Sequence, residues 1–260
     1  MIEGLQNFRD TGGTPLRDGG ETRSGVLYRS EALSALTPAG LDSFAATDIG
    51  VIADFRTGAE RGMAADLLPD SRPFTVVELP LLEGALTGMA QQAPIADDPD
   101  AAKAAIAAAV SRIPALGDLY VSMLGQGAAS FARLARLVAA ATDDPPTAVL
   151  VHCTAGKDRT GVAVALLLEA VGADRSAVVA DYSSSAANLA GPWADRMRAM
   201  VTAMGVPLTP AVDTLLTGTP PAAIEQALTW VDAQGGAASY LQSGGLTGDE
   251  LAALRLRLVA

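Results

Sequence analysis

The sequence predicts an α/β fold: a central, mainly parallel sheet flanked by helices, with further helices towards the C-terminus. Three observations predict it. Short apolar runs of strand length alternate with helical stretches before position 160, the pattern of parallel strands joined by helical crossovers. The run Thr147-Ala148-Val149-Leu150-Val151 follows Pro145-Pro146, is too short for a buried helix, and leads through a Gly-containing turn into Val162–Val171, apolar on every side. Aromatics make up only 4% of a chain that is 50% hydrophobic, so the core is mostly Ala, Leu and Val, and the first two are strong helix formers.

In chain order, the N-terminal stretch carries the turn signals Gly12-Gly13 and Asp18-Gly19-Gly20. A short strand is expected at Val26-Leu27-Tyr28. Thr37-Pro38 reads as an N-cap followed by proline at the first helical position, opening a helix that runs to about Thr47. Gly50–Phe55 reads as a buried strand that ends in Asp54 and runs on to Arg56, at the edge where loops carry chemistry. Phe74–Leu79 is a further strand. Residues 84–100 read as irregular, and Ala101–Val110 as helical by propensity. Leu116–Leu124 and Ser130–Ala141 read as two helices broken at Gly125-Gln126-Gly127. After Val162–Val171, helices are expected at about 174–188, 192–204, 209–216, 220–233 and 247–258. No linker forces a division, so one domain over 1–260 is expected.

The 260 residues carry a net charge of −11, the opposite of the basic surface of a general nucleic-acid binder, so no nucleic-acid partner is expected. Any anionic ligand has to be captured locally by a few placed donors. One cysteine excludes an internal disulfide, and no apolar stretch is long enough for an integral membrane segment. The start, Met1 to Asn7, lacks a basic region followed by an apolar run, so no signal peptide is expected and a cytoplasmic setting is the default. Oligomeric state is not legible.

The chemistry concentrates in His152-Cys153-Thr154-Ala155-Gly156-Lys157-Asp158-Arg159-Thr160-Gly161. A strand, a tight turn and a helix start point successive backbone N–H groups at one spot, reinforced by the positive end of the helix dipole. Gly156 lets the backbone curl closely around a ligand. Cys153, at the start of that cradle, sits in a positive field that favours the thiolate. Arg159 can grip two oxygens of a tetrahedral phosphate, and Lys157 adds a second positive charge that would favour multiply phosphorylated ligands. The result is an anion bowl with a nucleophile at its floor and an open top for a leaving group. A nucleotide-binding loop is excluded, because Val151 stands where its first Gly is required and Asp158 where Ser or Thr must follow the Lys. A zinc site is excluded because the chain has one His and one Cys, and no metal or other cofactor is expected. Sulfur or arsenate chemistry on such a loop would want a resolving cysteine.

Cys153-x5-Arg159-Thr160-Gly161 resembles the signature of the protein tyrosine phosphatase superfamily, and the fuller Cys-x-x-Gly-Lys-Asp-Arg-Thr-Gly form resembles its bacterial tyrosine/lipid-type branch. Asn7-Phe8-Arg9-Asp10-x-Gly12-Gly13, the segment from Leu36-Thr37 through Asp54-Phe55-Arg56-Thr57-x-x-Glu60-Arg61, Asp181-Tyr182-x-x-Ser185 and the ending from Tyr240-Leu241 to Leu254 are also similar. The resemblance implies a metal-independent phosphatase of broad specificity, acting on phosphotyrosine, phosphoserine/threonine and phosphoinositides through a cysteinyl-phosphate. It implies Cys153 as nucleophile, Arg159 as clamp, a phosphate cradle of Thr154, Ala155, Gly156, Lys157, Thr160 and Gly161, and His152 as an orienting residue. It maps the proton donor onto Asp158, although Lys157 and Arg159 beside it favour the anion; Asp54, at the end of its strand with Arg56 two residues on, is the second candidate. It also implies a helical lid within about 192–233. The alternative function is a non-catalytic phosphoprotein- or phosphoinositide-binding relative, which could dispense with Cys153 and Arg159.

Overall fold

The computed structural model describes residues 2–81 and 114–260; the expected irregular stretch 84–100 and helix Ala101–Val110 lie outside them. Strands β1 (Arg9–Asp10), β2 (Leu27–Ser30), β3 (Ile49–Asp54), β4 (Thr75–Glu78) and β5 (Ala148–His152) form a sheet in the order β1-β2-β5-β3-β4. All neighbours run parallel except β1, which adds antiparallel to β2. The expected mixed α/β architecture with a mainly parallel sheet is what the chain adopts.

The central strand β5 is buried along its whole length. Its alternate residues serve two cores, as the pleat dictates. Val149 and Val151 enter the larger one, with the helices α3 (Leu116–Ala139) and α4 (Arg159–Ala170); Leu150 enters a smaller one with Ile52, Phe44 and Leu5. Burial on both faces is why β5 reads as an unbroken apolar run. Helix α1 (Pro38–Ala45) starts as expected, with Thr37 Oγ1 accepting from the Gly40 N–H. The later helices are α5 (Arg175–Asn188), α6 (Pro192–Ala203), α7 (Pro210–Thr217), α8 (Pro221–Ala233), α9 (Gly236–Ser243) and α10 (Gly248–Leu258).

The structure differs from expectation at several elements, among them β1, which the loop-rich reading of the N-terminal stretch did not include. The break at Gly125-Gln126-Gly127 does not exist, because α3 runs through it. Each mid-helix Gly costs about 1 kcal/mol, but α3 packs along α8, α9 and α10, and at Gly127 a Cβ would lie 2.8 Å from the Phe131 ring. Close packing therefore outweighs propensity here. The short helix α2 (Gly58–Met63) and the helix α9 were not anticipated.

Candidate active site

Strand β5 ends level with its two parallel neighbours, with Ser30 and Asp54 both in register with His152. The carboxyl edge of its strands is where an open α/β sheet places ligands. Cys153 follows His152 directly and is buried. The turn that follows needs Gly156, whose φ of +68° sets its backbone so close that a Cβ would lie 2.2 Å from the Ser30 carbonyl oxygen. The chain then enters α4 at Arg159.

The loop is held from beneath by its carbonyls. Asn7 Nδ2 donates to the Ala155 and Gly156 oxygens, each at 3.1 Å, and Arg29 Nη2 donates to the Gly156 oxygen at 2.8 Å. The Ala32 N–H donates to the Thr154 oxygen at 3.2 Å. Among the described residues, the N–H groups of Thr154, Ala155, Gly156, Lys157 and Asp158 have no backbone acceptor outside regular elements. A ring of tethered carbonyls and uncommitted amides is an anion cradle. Arg29 is itself fixed by Asp181, which also accepts from Arg9 Nε at 2.7 Å; burial would raise the Asp181 carboxyl, but the two guanidinium groups hold it below its ordinary value. Arg9 and Arg29 also reach Ser185 Oγ. The Asn7-Phe8-Arg9 and Asp181-Tyr182-x-x-Ser185 motifs are thus the two halves of the loop's support.

Arg159 is aimed by Glu60, a residue given no role by the sequence reading. Nη1 and Nη2 of Arg159 reach the two Glu60 oxygens at 2.8 and 2.5 Å, and Thr154 Oγ1 donates to Glu60 at 2.6 Å. Burial pulls Arg159 down, but Glu60 and the negative groups at Cys153 and Asp158 overcome it and hold its pKa above the ordinary value. Burial pushes Glu60 up, while Arg159, Thr154 and the Thr57 N–H pull it down to about 2. Glu60 also closes the capping box of α2, with its side chain on the Thr57 N–H and its N–H on Thr57 Oγ1. That Thr57-x-x-Glu60 spacing is the signal that could have found both the helix and the residue.

Asp158 lines the cleft above Cys153. Its Oδ1 accepts from Tyr120 Oη at 2.6 Å and from Lys157 Nζ at 2.9 Å. Lys157 departs from expectation. Its side chain is 2% exposed, and its ammonium also donates to the Leu215 and Gly218 carbonyls at the end of α7. Three acceptors occupy its three protons, so the ammonium is a tie between the loop and α7, not a free cation for a second phosphate.

Asp54 does not line the cleft. It is buried, and both its oxygens accept from Arg56, which also donates to Asp66 at 2.6 Å and to the Ala64 carbonyl at 2.7 Å. His152 lies in the same knot, its Nδ1 3.3 Å from the Cys153 carbonyl oxygen and its Nε2 3.4 Å from Asp66. Asp54, Asp66 and His152 put three ligand-type atoms within 4.8 Å of one another, but the Arg56 guanidinium already engages both carboxylates. Asp54 and Arg56 therefore brace the strand end behind His152. Thr160 and Gly161 lie in α4 and do not line the cleft; Gly161 gives room to Tyr182, whose ring would be 2.9 Å from a Cβ there.

The cleft over Cys153 has a volume of about 490 Å³. Its floor is the loop with Arg159; its walls include Leu119, Met123, Trp193, Met197 and Leu215. From the stretch 192–233, α6 and α7 contribute to these walls, whereas α8 packs on α3 with Ile224 and Leu228 buried. A charged floor under apolar walls suits a phosphate carried on an apolar or aromatic group.

The model of a family described as the tyrosine phosphatase family matches residues 1–260. The triple specificity protein phosphatase PtpB of Mycobacterium tuberculosis is 33% identical over 206 residues, covering 71% of this chain and 68% of that protein. A tyrosine-protein phosphatase of Nostoc commune is 32% identical over 166 residues, 64% of this chain and 50% of that one, so the match spans about half the length of that relative. Among the described residues no helix is long and apolar enough to cross a membrane.

Proposed function

The chain belongs to the tyrosine phosphatase family, and on that premise we propose that it hydrolyses phosphomonoesters, phosphotyrosine first among them, with Cys153 as nucleophile. One observation carries the reading: the thiol, the uncommitted loop amides and the Glu60-anchored Arg159 converge on a single cleft. In the first step Cys153 Sγ forms a bond to phosphorus as the ester P–O bond breaks, and Asp158 gives its proton to the leaving oxygen. In the second step Asp158 takes a proton from water, water oxygen bonds to phosphorus, and the S–P bond breaks to return the thiolate. Arg159 and the amides of residues 154–158 hold the equatorial oxygens throughout.

Asp158 is the proton donor in this reading, since it lines the cleft and Asp54 is committed to Arg56. The depth and apolar walls favour an aryl phosphate; phosphoserine/threonine and phosphoinositides rest on the resemblance alone, because Lys157 is engaged elsewhere. One domain over 1–260 is part of the proposal, with α6 and α7 as the part of 192–233 that covers the cleft. A reducing, cytoplasmic setting suits a nucleophilic thiolate, which oxidation would silence.

The test is turnover of p-nitrophenyl phosphate and a phosphotyrosine peptide in the presence of a chelator, by wild type and by Asp158→Asn. The expected result is metal-independent turnover of both, and an Asp158→Asn profile that loses one limb of the pH–rate curve with a fall of roughly 10²-fold or more on the peptide. A folded wild type that binds the peptide without turning it over would leave the non-catalytic reading in its place.

A further inference from the structure

Helix α3 brings to the site a residue that belongs to no motif. Tyr120 is buried, and its hydroxyl donates to Asp158 Oδ1. Behind it, Tyr182 Oη lies 2.8 Å from Tyr120 Oη, and the two rings meet edge to face with centroids 6.0 Å apart. Tyr120 has one proton, and the carboxylate oxygen takes it, so Tyr182 donates to Tyr120. Burial, then the nearby charge of Asp158, pushes both phenols above their ordinary range and keeps them as neutral donors.

The arrangement is lopsided. Oδ1 of Asp158 receives two donors, Tyr120 and Lys157. Oδ2 receives none among the described residues, on a side chain 26% exposed that lines the cleft. A proton placed on Oδ1 would face an O–H and an ammonium, whereas one on Oδ2 faces the cleft.

We propose that Tyr120, backed by Tyr182, is a positioning residue that turns Asp158 so that its proton rides on Oδ2, towards the leaving group. The proposal rests on the reading of Asp158 as the proton donor. Lys157 alone would still bond Oδ1, but through a single contact about which the carboxyl can turn. Among the described residues, the other charged or titratable groups near Asp158 are Cys153 and Arg159 of its own loop, Arg29 beyond Tyr182, and Glu31, Arg56, Glu60 and the exposed Arg196 of α6 on the same cleft.

The experiment is Tyr120→Phe, which keeps the ring and removes only the hydroxyl, assayed on phenyl phosphate and on p-nitrophenyl phosphate. Phenolate needs protonation to leave; p-nitrophenolate needs it far less. The expected result is a fall in kcat of about tenfold or more on phenyl phosphate and less than about threefold on p-nitrophenyl phosphate. KM should be unchanged, and the pH–rate limb that Asp158→Asn removes should move to higher pH. Tyr182→Phe should give the same pattern more weakly, and serves if Tyr120→Phe does not fold. An equal fall on both substrates with an unmoved pH profile, or no fall on either, would overturn the proposal. If Asp158→Asn itself shows no leaving-group dependence, the proton-donor reading fails and takes this proposal with it. A normal Asp158→Asn response beside an indifferent Tyr120→Phe overturns this proposal alone.

Discussion

Replacing Glu60 by Gln is expected to cut kcat/KM by about 10²–10³-fold and to destabilise the fold by about 3 kcal/mol. The side chains of Glu60 and Arg159 are 9% and 4% exposed, so the change strips a buried guanidinium of its anionic partner. Gln keeps one acceptor oxygen and places an NH2 where the other was, so one prong of the Arg159 fork meets a donor, together with either Thr154 or the Thr57 N–H, and the two-point grip that presents Arg159 to a phosphate is lost. For a chain of this size the loss in melting temperature should be roughly 6–12 °C. The pH dependence adds an independent signature. Glu60 is held at about 2 against an ordinary 4.5. A depressed carboxyl stabilises the folded chain above its unfolded value, and that stability is lost as pH falls from 4.5 towards 2. Glu60→Gln has none of it to lose, so the gap between wild type and variant should narrow across that window. Equal activity and melting temperature in wild type and variant would show that Arg159 is held by something other than Glu60.

Replacing Cys153 by Ser is expected to lower kcat by about 10⁴-fold or more while leaving the fold and phosphopeptide binding intact. The substitution exchanges one small atom at the loop floor and touches neither the tethered carbonyls nor the Arg159–Glu60 pair. A serine hydroxyl is not ionised under these conditions and is a far weaker nucleophile than a thiolate. Titration with a phosphotyrosine peptide should give a Kd close to that of wild type, and the initial rate should fall to near background. A residual rate within tenfold of wild type would mean that the bond to phosphorus is made by another group.

The loop was legible because its chemistry lies in ten consecutive residues, and the local sequence alone dictates a strand, a glycine-dependent turn and a helix. The parallel sheet was legible for a similar reason, since strands buried on both faces read as unbroken apolar runs. What stayed hidden depends on distant partners. Glu60 meets Arg159 across 99 positions, and Tyr120 meets Asp158 across 38; the Thr57-x-x-Glu60 capping box marks Glu60 locally but says nothing of Arg159, and Tyr120 carries no local mark at all. Lys157 shows the opposite error. Its charge was legible, but the α7 carbonyls that consume its protons lie 58 and 61 positions away, so the expected free cation is a structural tie. Asp54 was a candidate because it ends a buried strand, and only the structure shows that Arg56, two residues on, occupies both its oxygens. The Gly125-Gln126-Gly127 break failed on packing: local propensity cannot register that the Phe131 ring sits where a side chain at Gly127 would be.

The most direct measurement of the central claim is to trap the phosphoryl group. A rapid acid quench of the Asp158→Asn variant with p-nitrophenyl phosphate, whose leaving group needs little protonation, followed by peptide mass analysis, reads where phosphorus is bonded. With Asp158 unable to take a proton from water, the intermediate should accumulate, and the phosphoryl group should be found on the peptide containing Cys153, on sulfur. Turnover with no phosphorylated Cys153 at any quench time, or a phosphoryl group on a different residue, would contradict the account.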